Sequence, residues 1–83
     1  MTMKISIFGL GYVGAVSAAC LAAHGHEIVG VDSNRTKVDL INDGIAPIVE
    51  EQVGELIARA RADARLSATT SVSEAVRGTS LSI

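Results

Sequence analysis

The chain has 83 residues, of which 48% are hydrophobic and 19% charged, with a formal net charge of −2 at pH 7. It has no basic run, and Phe8 and Tyr12 are its only aromatic residues, so the composition argues against nucleic acid or an anionic membrane as a partner. Cys20 is the only cysteine, which excludes an internal disulfide framework and a cysteine-based zinc site.

The chain begins with a strand, a helix and a second strand. Lys4–Phe8 is rich in β-branched residues and predicts the first strand, which Gly9 ends. This apolar run is too short for a signal peptide or a membrane span, so a cytoplasmic protein is expected. The following helix should end at Gly25, and Glu27–Asp32 predicts the second strand. The apolar positions that predict the buried face of the helix are Val13, Val16, Cys20 and Ala23.

Two helices are predicted next. Asn34 can cap a short helix that Gly44 would close. A third helix covers residues 53–64, where apolar residues recur at helical spacing. Glu50 precedes this helix and could stabilise its start, whereas a functional role for Glu50 is the minority interpretation.

The remaining elements complete an alternation of strands and helices. Leu66–Thr70 predicts a third strand, and Ser71 and Glu74 have the spacing of a capping box for a short helix. A fourth strand begins at Leu81. Such an alternation predicts an α/β fold, a doubly wound parallel sheet with helices on both faces. Because the chain stops within the fourth strand, residues 1–83 are expected to be only the first half of the domain.

The glycine-rich turn after the first strand carries the strongest functional signal. It fits the pattern G-x-G-x-x-G and reads Gly9-Leu10-Gly11-Tyr12-Val13-Gly14. Gly9 would allow the tight turn, Gly11 the approach of a pyrophosphate, and Gly14 close packing of the helix on the sheet. The free N–H groups of the first helical turn, including those of Tyr12 and Val13, would face the phosphates. The pattern therefore predicts a Rossmann-type dinucleotide site, the alternative being glycines used for packing alone.

An acidic residue ends the second strand. Asp32 lies 18 residues after Gly14, close to the spacing of about 20 expected for the residue that binds the adenine ribose. Its carboxylate would repel a 2′-phosphate, so NAD is favoured over NADP, although Asp32 could instead be a helix N-cap. Arg35 complicates this prediction, because an arginine in this place suits a 2′-phosphate. Arg35 and Lys37 are either solvated helix charges or neighbours of the ribose.

The other chemically notable residues predict no further site. Cys20 is interpreted as a buried packing residue rather than a nucleophile. His24 and His26 lie at a helix end, away from the strand tips that should hold the cofactor. His24 could interact with the helix dipole. A metal site is not expected.

The amino-acid sequence resembles the N-terminal NAD-binding part of the nucleotide-sugar 6-dehydrogenases, the family of the GDP-mannose and UDP-glucose dehydrogenases. Residues 7–16 carry the likeness most clearly, and their sequence is slightly closer to the GDP-mannose branch. The resemblance continues through Gly25-His26-Glu27, Gly30-Val31-Asp32, Thr36-Lys37, Ile41-Asn42-Asp43-Gly44, Pro47-Ile48-Val49-Glu50 and Leu66-Ser67-Ala68-Thr69-Thr70.

This resemblance implies an enzyme that oxidises the sugar C6 alcohol to a carboxylate in two NAD-dependent steps. It also implies a cytoplasmic homo-oligomer with a role in polysaccharide biosynthesis. The family's catalytic cysteine lies in a downstream Gly-Gly-Ser-Cys segment, so no catalytic residue is expected in this chain, which should be inactive alone. Cys20 does not match that cysteine. The cofactor residues that carry over are Gly9, Gly11, Tyr12, Val13 and Gly14 at the pyrophosphate, with Asp32 and Lys37 at the adenosine ribose.

Two departures from the family pattern suggest a divergent member. The family usually continues Pro-Gly-Leu-Glu where this chain reads Glu51-Gln52-Val53-Gly54, and Ser80 replaces a usual aspartate. Two alternative functions remain open at this point. One is a dehydrogenase of the hydroxyacid or 6-phosphogluconate type, and the other is a dinucleotide-binding module without catalytic activity.

Overall fold

A computed structural model describes residues 2–83, which form four strands and four helices. The strands are β1 (Lys4–Phe8), β2 (Glu27–Val31), β3 (Leu66–Thr69) and β4 (Leu81–Ser82). The helices are α1 (Tyr12–Ala23), α2 (Arg35–Asn42), α3 (Glu51–Ala62) and α4 (Val72–Gly78). The predicted order of elements is confirmed, and most bounds differ by one or two residues. Within residues 2–83, no helix combines the length and apolar character needed to cross a membrane.

The four strands form one parallel sheet in the order β3-β2-β1-β4. The chain moves in one direction from β1 to β3 and then returns past β1 to form β4. Because such crossovers are right-handed, α1, α2 and α3 lie on one face of the sheet and α4 on the other. This arrangement confirms the predicted Rossmann-type fold. The reversal between β1 and β4 is the point where folds of this class bind ligands, at the carboxyl ends of the strands.

The main core lies between the sheet and the helices α1, α2 and α3, and the buried residues of α1 in it are all alanines. The buried residues of α1 are Ala15, Ala18, Ala19 and Ala22, and the last three belong to one cluster with Ile5, Ile7 and Ile28 of the sheet. The predicted buried face of α1 was wrong, since Val13 is 76% exposed and Cys20 is also exposed. Nearly every residue of this helix is apolar or small, so hydrophobicity gives no contrast between its faces. Alanine faces the sheet because its small side chain lets the helix come close.

A group of hydroxyls lies on the opposite face of the sheet. Ser6, in the centre of β1, is fully buried. Its Oγ lies 2.8 Å from Ser82 Oγ and 3.0 Å from Thr79 Oγ1. Thr79 Oγ1 also donates to the carbonyl of Ala75 at 2.9 Å. A hydroxyl both donates and accepts, so the group satisfies its buried polar atoms while tying β4 and the end of α4 to the central strand.

Three of the helices begin with a side-chain cap. Asn34 accepts hydrogen bonds from two backbone N–H groups of α2, and Glu50 does the same for α3. Both roles were predicted. The Ser71 hydroxyl accepts from Glu74 N at 3.2 Å, so half of the predicted capping box forms. Its other half does not, because Ser71 N donates to Thr69 Oγ1.

Asn42 covers the outer edge of the sheet. Its Oδ1 accepts from Ala68 N at 2.9 Å, and its Nδ2 donates to Ala68 O at 3.0 Å. Both bonds go to the backbone of β3, which is the last strand on this side of the described sheet. The side-chain amide thus occupies two backbone groups, the N–H and the carbonyl of Ala68, with which a further strand would pair. An unpaired strand edge is a template for association with other chains.

Replacing Asn42 with alanine should therefore lower the free energy of unfolding by about 1–3 kcal/mol, because two backbone groups lose their partners. The variant of the full-length protein should also aggregate more readily as its concentration rises. Urea unfolding and light scattering measure the two effects. Asp43→Ala, at the neighbouring exposed position, leaves both bonds in place and should resemble the unaltered protein. Equal stability of the Asn42→Ala and Asp43→Ala variants would contradict the role given to Asn42.

Candidate dinucleotide-binding site

The turn after β1 is anchored to β2 by its backbone and by one side chain. Gly9 N donates to Val31 O at 2.7 Å, and Gly9 has a φ of +92°, which favours glycine. The side chain of Leu10 is fully buried. It packs on Gly30, where an added Cβ would lie 2.7 Å from Leu10 Cδ2. The turn is therefore held at the carboxyl end of two adjacent strands.

The other two glycines of the turn have different surroundings. A Cβ added at Gly14 would lie 1.8 Å from the carbonyl oxygen of Gly9, so the first turn of α1 presses directly on the glycine turn. A Cβ added at Gly11 would meet no atom within 4 Å. Gly11 therefore leaves open space beside the backbone, whereas Gly14 is required by packing. This difference matches the separate roles predicted for the two glycines.

The N-terminus of α1 differs from those of the other helices in residues 2–83. Its N-cap is Gly11, which offers no side-chain cap. The first N–H groups of a helix have no partner within the helix. In α2, α3 and α4 a side-chain oxygen satisfies some of them, but in α1 the N–H groups of Tyr12 and Val13 lack one. Together with the positive end of the helix dipole, they suit a phosphate.

Asp32 follows β2 immediately and bonds to the glycine turn. Its Oδ2 accepts from Leu10 N at 2.8 Å, and its Oδ1 accepts from Asn34 N at 2.8 Å. The alternative role of Asp32 as the N-cap of α2 is excluded, since Asn34 occupies that position. Each carboxylate oxygen has further lone pairs, so both can still accept hydrogen bonds from ribose hydroxyls.

The environment of Asp32 favours its charged form. The hydrogen bond from Leu10 N lowers the pKa of the carboxyl most, followed by the bond from Asn34 N. Partial burial acts in the opposite direction, and the positive charge of Lys37 lowers the pKa further. The net result is a pKa below the ordinary value of aspartate. The carboxylate is therefore ionised, and can only accept hydrogen bonds, at neutral pH.

Two cations follow Asp32 on the first turn of α2. Lys37 is partly buried, and its backbone N–H donates to the capping Asn34. Arg35 is exposed, and its Nε lies 3.2 Å from Asp39 Oδ1 in an ion pair between adjacent turns of the helix. Both residues thus lie close in the chain to the carboxylate predicted to bind the ribose.

An open groove of about 470 Å³ runs along the glycine turn and the start of α1. Tyr12 and Val13 are 63% and 76% exposed beside it. The residues that line it are Ile7, Phe8, Gly9, Gly11, Tyr12, Val13, Gly14, Ser17 and Ile83. Five of the seven predicted cofactor residues therefore share one surface, and Asp32 is joined to it through Leu10.

The remaining candidates lie outside this groove. The imidazole Nδ1 of His24 is 2.8 Å from Cys20 O, at the end of α1, and His26 Nδ1 accepts from Met3 N at 3.0 Å. Within residues 2–83, no group of three potential metal ligands comes together. Cys20 is on the outer surface of α1, which corrects its interpretation as a buried packing residue.

Comparison with known proteins identifies the family. The NAD-binding domain of the UDP-glucose/GDP-mannose dehydrogenase family matches residues 3–83. The chain belongs to this family. The resemblance stated from the glycine turn and the later segments is confirmed, and so is NAD as the cofactor of the family domain.

Relatives from both named branches share this domain. GDP-mannose 6-dehydrogenase of Pseudomonas syringae pv. tomato is 57% identical over 81 residues, which are 98% of this chain and 18% of the relative. The crystal structure of GDP-mannose dehydrogenase from Pseudomonas aeruginosa superposes with a TM-score of 0.94 at 55% identity, covering 96% of this chain and 18% of that one. The structure of UDP-glucose dehydrogenase from Pyrobaculum islandicum superposes with a TM-score of 0.92 at 38% identity, covering 99% of this chain and 19% of that one. The chain thus spans under a fifth of the length of these relatives.

Proposed function

We propose that this chain binds the adenosine and pyrophosphate parts of NAD at the edge formed by β1, α1 and β2. The uncapped N-terminus of α1 carries this proposal, because its first N–H groups have no side-chain acceptor and a Cβ added at Gly11 would meet no atom within 4 Å. The backbone N–H groups of Tyr12 and Val13 hold the pyrophosphate, while Gly9 and Gly14 fix the turn that brings them there. When bound, NAD supplies a hydride acceptor to the reaction.

The adenosine ribose binds at Asp32. Its two oxygens are fixed in direction by Leu10 N and Asn34 N, so their free lone pairs face a defined region beside the turn. Lys37 flanks the ribose and balances the carboxylate charge. A 2′-phosphate brought to this place would meet a carboxylate held in its ionised form. These contacts favour NAD over NADP.

In the full-length protein, this site serves the oxidation of a nucleotide sugar at C6. Oxidation of one primary alcohol consumes two NAD⁺ and one water, and it yields one carboxylate, two NADH and three protons. GDP-mannose is the favoured substrate, since relatives named for it are 54% to 58% identical to this chain, against 38% to 49% for relatives named for UDP-glucose.

Residues 1–83 are the N-terminal portion of the NAD-binding domain in this proposal, and the catalytic groups come from further along a longer polypeptide. The family relatives, about five times longer than this chain, support that arrangement. The full-length enzyme is a cytoplasmic homo-oligomer whose uronic acid product is used in polysaccharide biosynthesis.

The decisive experiment measures the NADH formed per nucleotide sugar by the full-length protein. GDP-mannose and UDP-glucose are offered in turn with NAD in excess, and absorbance at the NADH band is followed to completion. Two NADH per molecule of one sugar are expected. One NADH per substrate molecule would instead indicate a single-step dehydrogenase, and NAD binding without turnover of either sugar would indicate a binding module.

A further inference from the structure

Arg35 has a position that suits NADP, yet its side chain is held elsewhere. It is the first residue of α2, three positions after Asp32, which follows β2. An arginine near this place accommodates the 2′-phosphate in dehydrogenases of this fold that use NADP. In this structure the guanidinium Nε instead pairs with Asp39 Oδ1 at 3.2 Å. Asp39 has no part in the dinucleotide site described above.

We propose that Asp39 is a specificity-determining residue, which disfavours NADP by holding Arg35 away from the 2′ position of the adenosine ribose. This inference rests on the proposed function, since it assumes that the ribose lies at Asp32. NADP would then be disfavoured by two features, the carboxylate of Asp32 and the ion pair between Arg35 and Asp39.

The direction of the Arg35 side chain supports the proposal. Side chains on a helix tilt towards its N-terminus, which in α2 is the end next to Asp32. Asp39 lies four residues further along the helix, slightly more than one turn and about 6 Å towards the C-terminus. Pairing with Asp39 therefore draws the guanidinium along the helix, away from the end where a 2′-phosphate would bind.

The charges around the ribose position are also balanced in pairs. The charge of Lys37 acts on Asp32, and that of Arg35 is matched by Asp39. These four residues carry no net charge together. Replacing Asp39 with asparagine gives the group one excess positive charge and frees Arg35 to turn towards a phosphate.

The size of the effect follows from the exposure of the pair. The side chains of Arg35 and Asp39 are 72% and 57% exposed, so the ion pair is weak. Exposed ion pairs between residues four apart on a helix change an equilibrium by about twofold. Asp32 remains the stronger determinant, and Asp39 modulates the preference.

The test uses two ligands that differ only in the 2′-phosphate, namely adenosine 5′-monophosphate and adenosine 2′,5′-bisphosphate. Their dissociation constants for the full-length protein are measured by calorimetry at low ionic strength, where surface charges are least screened. In Asp39→Asn, binding of the bisphosphate relative to the monophosphate should improve about twofold. The ratio of kcat/KM for NADP to that for NAD should rise in parallel.

Two controls separate the pair from a general charge effect. Asp43→Asn removes the same charge from an exposed position at the end of the same helix, and should leave the binding ratio unchanged. In an Arg35→Ala background, Asp39→Asn should no longer improve binding of the bisphosphate. An equal gain in either control, or no gain in Asp39→Asn, would overturn the proposal for Asp39 alone. If the unaltered protein bound neither ligand, the proposed function would fail as well.

Discussion

Replacing Gly14 with alanine should destroy the dinucleotide site and destabilise the fold. The new Cβ would lie 1.8 Å from the carbonyl oxygen of Gly9, and neither backbone segment can move without disturbing the other. The free energy of unfolding should fall by at least about 1–3 kcal/mol, the usual cost of overpacking a core. NAD affinity should fall about 100-fold or more, because hydrogen bonds to a charged group contribute about 1.5–3 kcal/mol each and several would be lost.

Gly11→Ala is the matched control for this prediction. No atom lies within 4 Å of the added Cβ, and the φ of −74° at Gly11 suits alanine. Thermal unfolding without ligand should therefore show a stability close to that of the unaltered protein. Calorimetry should nevertheless show weaker NAD binding, because the methyl group fills the space that the pyrophosphate needs. Unchanged NAD affinity in Gly11→Ala would move the pyrophosphate away from this part of the turn.

Local signals made most of the fold predictable from the sequence. Short apolar runs marked β1, which Gly9 ends, and β2, which Asp32 follows, and the capping residues Asn34 and Glu50 lie within three residues of the N–H groups they bind. Each of these signals depends only on neighbouring residues. The alternation of strands and helices, with the handedness of crossovers, then predicted a parallel, doubly wound sheet.

The contacts that were missed join residues far apart in the chain. Leu10 and Asp32 are separated by 22 positions, Asn42 and Ala68 by 26, and Ser6 and Thr79 by 73. No periodicity or spacing rule connects such pairs, because they become neighbours only when the sheet has formed. The glycine pattern predicted that Asp32 lies near the ribose, but it gave no sign that its carboxylate also bonds to the turn.

This second role of Asp32 changes what its removal should do. Asp32→Ala should weaken NAD binding by about 1–3 kcal/mol, the cost of leaving polar partners unpaired, and should lower stability even without NAD. The stability loss arises because Leu10 N and Asn34 N lose the oxygens they donate to. Calorimetry with NAD and urea unfolding without it measure the two effects. A variant with normal stability but weak binding would show that Asp32 contacts only the ribose.

The pH dependence of stability provides an independent test. The hydrogen bond from Leu10 N, the one from Asn34 N and the positive charge of Lys37 together hold the pKa of Asp32 below its unfolded value of about 3.9. The folded protein therefore binds this proton less readily than the unfolded chain. The stabilisation is complete above the unfolded pKa and is lost as the pH falls through the lower folded pKa. The stability difference between the unaltered protein and Asp32→Asn should thus be constant above about pH 5 and shrink in more acidic solution. A difference that grows on acidification would mean that the folded environment favours the neutral carboxyl, contrary to its two backbone donors.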